Sequence, residues 1–88
     1  MNISIIGAGS WGTALANLLV KNHHKVLLFD VDGKIVDEIN NLHTNETKLK
    51  NAKLENGVKA TTNLKETLDF SNIIILSVPT KVARIVLN

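Results

Sequence analysis

The chain has no cysteine and no tyrosine, a single proline and a single tryptophan, and aromatic residues make up only 3% of its 88 positions. Without cysteine there are no disulfides and no thiolate zinc sites, which fits a reducing compartment. A core short of aromatics must be built from Ile, Leu, Val and Ala, the aliphatic set of buried parallel strands. No apolar run approaches the ~18 residues of a membrane span, and the N-terminus opens on a strand pattern rather than a basic region followed by a long apolar stretch. The chain is therefore expected to be cytoplasmic, neither secreted nor membrane-inserted. The formal charge is only +2, with lysines interleaved among Asp, Glu and Asn, and this gives no case for nucleic acid. Lys48, Lys50 and Lys53 form the densest basic group and read as a solvated loop.

What is present is an alternation of apolar runs and helical patterns. Ile3 to Ile6 reads as a first strand, followed by glycines and then a helix from Thr13 that carries Leu15, Leu18 and Leu19 as core residues. Lys25 to Asp30 is a second apolar strand. Ile35, Val36, Ile39 and Leu42 recur at helical spacing behind Asp32, which serves as N-cap. Residues 41–57 are polar and weakly periodic, an irregular connection anchored by Leu42, Leu49 and Leu54. Val58 to Thr62 alternates as a short third strand, and Asn63 with Glu66 forms a capping box for a short helix with Leu64 and Leu68 on one side. Ile73 to Val78 is the most hydrophobic strand and is expected beside the first. Pro79 ends it and opens a further helix from Lys81 to Leu87, which breaks off in mid-pattern. Strands alternating with helices predict an α/β domain with a parallel sheet in the order 3-2-1-4. Residues 1–88 are expected to be the front part of one longer domain, with the far edge of the fourth strand open and prone to pair with another chain.

The glycine segment carries the chemistry. Gly7, Gly9 and Gly12 stand as G-x-G-x-x-G between a strand and a helix, the context in which this spacing means dinucleotide binding. Gly7 permits the tight turn, Gly9 lets the backbone approach a pyrophosphate, and Gly12 lets the helix pack on the strand. The unpaired N–H groups of the helix start then hold the phosphates without a lysine. An acidic residue is required about 20 positions on to bind the ribose hydroxyls, and Asp30 lies 18 residues after Gly12 at the end of the second strand. Its carboxylate would repel a 2′-phosphate and no Arg stands beside it, so NAD is favoured, with NADP the remaining alternative. Ser10 faces the pyrophosphate or caps the first helix, roles that are compatible. Trp11 lies beside the ligand or caps the end of the core. Ser77 to Thr80 falls at the carboxyl end of the fourth strand, the edge where open α/β sheets bind ligands. Ser77 has no histidine and carboxylate partners to make it a nucleophile, and His23, His24 and His43 are not spaced for zinc, so neither a catalytic residue nor a metal site is assigned.

The decamer Gly7-Ala8-Gly9-Ser10-Trp11-Gly12-Thr13-Ala14-Leu15-Ala16 closely resembles the signature of the bacterial-type NAD(P)-dependent glycerol-3-phosphate dehydrogenases. Ile39-Asn40, Leu54, Ala60-Thr61-Thr62 and Ser77-Val78-Pro79 fall in the order and spacing of that family. The resemblance implies a Rossmann-type dinucleotide-binding domain, truncated here. It also implies hydride exchange between NAD(P)H and dihydroxyacetone phosphate or sn-glycerol 3-phosphate, a supply of glycerol phosphate for membrane lipids, and a homodimer built with a helical C-terminal substrate domain. Carried over by position, it adds Ser10, Trp11, Val31, Pro79 and Val82 to the cofactor contacts Gly7, Gly9, Gly12 and Asp30. Val31 stands where the family often has Arg or His, and Lys48 lies near a frequent aromatic. The family's catalytic lysines fall outside this stretch, so the chain is expected to bind cofactor without catalysing. Two other readings stay open at this point: another hydride-transfer dehydrogenase for hydroxyacids or sugar acids, and a non-catalytic NAD-sensing module.

Overall fold

The computed structural model describes residues 1–78 and 81–86. Eight elements follow one another: β1 (Asn2–Ile6), α1 (Ser10–Lys21), β2 (Lys25–Phe29), α2 (Gly33–Leu42), β3 (Val58–Thr61), α3 (Leu64–Phe70), β4 (Ile73–Val78) and β5 (Lys81–Val86). They form one sheet in the order β3-β2-β1-β4-β5. The first four strands are parallel, with Ile5 level with Leu28 on one side and with Ile75 on the other. The chain runs outward from β1 to β3 and then returns to lay β4 against the opposite side of β1. That reversal places the carboxyl ends of β1 and β4 side by side, the switch point at which sheets of this kind bind ligands.

Alternation along the strands assigns the two faces. Ile3, Ile5, Val26, Leu28, Val58 and Ala60 join Ala16 of α1 and Ile35, Val36 and Ile39 of α2 in one buried cluster. Ile5, Leu28, Ile39 and Val58 are wholly enclosed. Full burial of such a side chain contributes about 1.5–3 kcal/mol by transfer alone. On the other face the buried Ser4 hydroxyl donates to the Thr67 carbonyl of α3 at 2.9 Å. Two expected core residues fall outside this arrangement, since Leu18 is 55% exposed and Leu42 is 60% exposed. Both lie on the solvent side of helices whose buried stripes are set by other residues, Gly12, Thr13 and Ala16 in α1 and Ile35, Val36 and Ile39 in α2.

Asp32 caps α2 as expected, its carboxylate accepting from the Lys34 N–H at 2.9 Å. Asn63 caps α3 by accepting from the Glu66 N–H at 3.0 Å. The reciprocal half of the expected capping box is replaced, because the Asn63 N–H donates to Thr61 Oγ1 instead. His23 and His43 both take positive φ, 70° and 58°, just past the ends of α1 and α2. They terminate helices in the left-handed conformation that polar residues such as histidine enter more readily than β-branched ones.

The largest departure from expectation is Lys81–Val86, predicted as a helix and found as β5, antiparallel to β4 with Ile74 opposite Ile85 and Ser77 opposite Val82. The segment has three β-branched residues among six, Val82, Ile85 and Val86, which fit a pleated ladder as well as a helical face. As a strand it also satisfies the N–H and C=O groups along β4 that would otherwise be unpaired. The expected open edge on β4 is therefore absent. Pro79, expected to start that helix and to lie near the cofactor, is outside the described residues.

Candidate functional site

Between β1 and α1 the chain turns through Gly7, Ala8 and Gly9, and each backbone group of this turn has a defined job. Gly7 sits at φ 110°, a conformation other residues enter only with strain, and its N–H donates to the Phe29 carbonyl of β2 at 2.8 Å. A Cβ on Gly7 would run into the Ser77 carbonyl of β4. A Cβ on Gly12 would meet the Gly7 carbonyl and lie 3.1 Å from Ser77 Oγ. These two glycines are fixed by packing inside the protein.

Gly9 differs. Its φ of −77° and ψ of −171° suit any residue, and a Cβ there meets nothing within 4 Å. No internal contact requires glycine at this position, so the free space is available to something outside the chain. Gly9, rather than Ser10, is the N-cap of α1, and as a glycine it offers no side chain to the first-turn N–H groups. Ser10 is the first helical residue, and no acidic residue stands in the first turn. The positive end of a 12-residue helix thus faces the open space over Gly9.

Asp30 closes the other side. Its Oδ2 accepts from the Ala8 N–H and its Oδ1 from the Asp32 N–H, both at 2.9 Å. The strand-end carboxylate is therefore tied to the glycine turn, and each oxygen keeps further acceptor capacity. Val31, 85% exposed, and Trp11, 68% exposed, flank this edge, and the tryptophan takes no part in the core. Val82 stands opposite Ser77 at the same end of the sheet.

A concavity of about 340 Å³ extends from Asp30 along Asp32, Lys34, Glu38, Thr47 and Lys48. Lys48, exposed on the connection after α2 as expected, also lines this concavity. A larger cavity of about 690 Å³ lies elsewhere, among His24, Lys25, Leu27, Lys59, Glu66 and Phe70. It touches none of the turn residues, and the assignment follows the chemistry of the turn rather than cavity size.

The connection 43–57, expected to be irregular, is latched at several points. Glu38 Oε2 accepts from Thr44 Oγ1 at 2.7 Å and from the Glu46 N–H at 2.8 Å, and Lys53 Nζ donates to the last-turn carbonyl of Leu42. These latches seat Asn45, fully buried, with Nδ2 donating to the Ala8 carbonyl and to Thr13 Oγ1, both at 2.9 Å. Nothing in the sequence marks Asn45 among its many Asn and Lys neighbours, because its partners lie 37 and 32 residues away.

With this geometry in view, the family model described as NAD-dependent glycerol-3-phosphate dehydrogenase N-terminus matches residues 2–88. The chain belongs to this family. It is 51% identical over 83 residues to a glycerol-3-phosphate dehydrogenase [NAD(P)+] of an Exiguobacterium species, covering 94% of this chain and 24% of that protein. It is 46% identical over 87 residues to the enzyme of the same description from Macrococcus caseolyticus, covering 99% of the chain and 26% of the relative. Among solved structures, glycerol-3-phosphate dehydrogenase from Coxiella burnetii superimposes with a TM-score of 0.78 at 37% identity, over 85% of this chain and 23% of that one. The chain spans about a quarter of the length of the curated relatives it matches. The Rossmann-type sheet order and the resemblance carried by the Ser10-Trp11 decamer both agree with membership of this family.

Two outcomes follow from this geometry. Gly9→Val should leave a folded chain, losing about 1 kcal/mol at most for a poorer N-cap, but should abolish NADH binding by filling the free space. Gly12→Val should unfold it, because the clash is with the Gly7 backbone; thermal melts and titration of Trp11 fluorescence with NADH separate the two effects.

The second concerns pH. The Thr44 hydroxyl and then the Glu46 N–H hold the Glu38 carboxyl below its ordinary range. A carboxyl lowered in the folded state stabilises above its unfolded pKa, and that contribution is lost as pH falls through the folded value. Glu38 is partly buried at the surface and still screened by solvent, so the expected contribution is no more than about 1 kcal/mol. Urea melts from neutral to acid pH should show a shallower acid limb for Glu38→Gln than for the wild type, and identical limbs would contradict the latch.

Proposed function

We propose that this chain is the dinucleotide-binding part of a glycerol-3-phosphate dehydrogenase and binds NAD(H) across the carboxyl ends of β1, β2 and β4. The observation that carries the reading is the space over Gly9, bounded by an uncapped helix N-terminus on one side and by Asp30 on the other. A pyrophosphate in that space would accept from the first-turn N–H groups of Ser10, Trp11 and Gly12, and the adenosine ribose would donate to the free acceptor positions of Asp30. Gly7 shapes the turn. Val31 would border the ligand at its adenosine end and Trp11 beside the pyrophosphate, and the family resemblance adds Pro79 and Val82 on the nicotinamide side.

Charge decides between the two cofactors. Asp30, Asp32 and Glu38 bring three carboxylates to the concavity beside the ribose position, against two ammonium groups from Lys34 and Lys48. A 2′-phosphate of about −1.5 to −2 charge meets a net negative wall, which favours NAD(H). In the whole enzyme the reaction would be hydride exchange with dihydroxyacetone phosphate or sn-glycerol 3-phosphate. We assign no catalytic residue within residues 1–88 and infer that turnover requires the remaining three-quarters of the protein, as a cytoplasmic homodimer supplying glycerol phosphate for lipids.

Calorimetric titration of the chain with NADH and NADPH tests the reading. NADH should bind more tightly, and Asp30→Asn, which keeps an acceptor for the Ala8 N–H but removes the charge, should narrow the gap. Equal or tighter NADPH binding by the wild type would overturn the role of Asp30.

A further inference from the structure

Asn45 is a costly residue for the place it occupies. It is fully buried, and its Oδ1 has no hydrogen-bond partner among the described residues. An amide carbonyl enclosed without a donor opposes folding and offsets part of what the two Nδ2 hydrogen bonds contribute. Its carbonyl end does not account for an asparagine here.

Its other end does. The two Nδ2 hydrogens go to the Ala8 carbonyl and to Thr13 Oγ1, one in the glycine turn and one in the second turn of α1. Reversing the amide would set Oδ1 against the Ala8 carbonyl, so these contacts fix its orientation. Ala8 is thereby gripped from both sides, since its N–H is held by Asp30. Gly9, next along the chain, is gripped by no side chain at all, and its position is inherited from Ala8 before it and α1 behind it. The backbone of Asn45 is itself anchored, its carbonyl accepting from the Lys48 and Leu49 N–H groups at 3.1 and 2.7 Å.

We propose that Asn45 is a positioning residue for cofactor binding: it sets the distance between the glycine turn and the start of α1, and so shapes the space over Gly9 without touching the ligand. This rests on the dinucleotide reading above. The connection after α2 thus acts on the pyrophosphate position through one side chain.

The test uses Asn45→Leu, which keeps the number and branching of the side-chain heavy atoms and removes both the donors and the orphan carbonyl. The Leu variant leaves the Ala8 carbonyl without its donor and should melt somewhat below the wild type, yet at a temperature where it is fully folded it should bind NADH about tenfold or more weakly, the loss expected when one buried hydrogen-bonding group no longer holds the site. A merely structural role would lower the melting temperature and leave the NADH affinity of the folded protein unchanged. Thr13→Val, which removes one of the two acceptors in place, should weaken binding by a smaller factor and covers the case in which the Leu variant fails to fold. Binding by either folded variant within twofold of the wild type overturns the proposal. Absence of NADH binding by the wild type overturns the dinucleotide reading itself, and the positioning role with it.

Discussion

The approach of α1 to the end of β1 is the constraint on which the rest of the molecule depends. Gly12 lets the first turn of the helix rest against the Gly7 carbonyl, and Gly7 in turn lets the β1 end pass under the Ser77 carbonyl of β4. Any side chain at either position would push the helix away from the sheet, and the place of Ala16 in the buried cluster with Ile3 and Ile5 would be lost with it. The same approach aims the helix N-terminus across the sheet edge rather than into the core. One packing requirement therefore produces both the fold and the direction of its electrostatic field.

Around that contact the chain assembles a frame from distant pieces. β2 contributes Asp30, β4 contributes Ser77, and the connection after α2 contributes Asn45. Each grips a different part of the turn, and Gly9 alone is left with open space above it. The turn is thus held on the sides where the protein touches itself and open on the side of Gly9. The 3-2-1-4 strand order is what brings these contributors to one edge, because the chain reverses direction between β3 and β4 beside β1.

Much of this is legible in the amino-acid sequence because it rests on local pattern. The glycine spacing, the aliphatic strands and the caps at Asp32 and Asn63 are properties of a few adjacent residues, and all are found where expected. Leu18 and Leu42 were misleading because helical spacing does not say how wide the buried stripe is, and small residues in α1 occupy the part nearest the sheet. Lys81–Val86 combines helical spacing with β-branched residues, and pairing along β4 decides between them. Asn45 could not be singled out, since its importance comes entirely from partners more than 30 residues away in a stretch rich in the same residue.

The central claim is that the space over Gly9, bounded by α1 and Asp30, is where the dinucleotide sits. Backbone amide chemical shifts followed during an NADH titration of the isotopically labelled chain test it most directly. The account predicts the largest saturable changes at Gly9 to Gly12 and at Asp30 and Val31, with the residues of the larger cavity, Lys59 and Glu66, unmoved. Changes centred on Lys59, Glu66 and Phe70, or spread without focus over the surface, would contradict it.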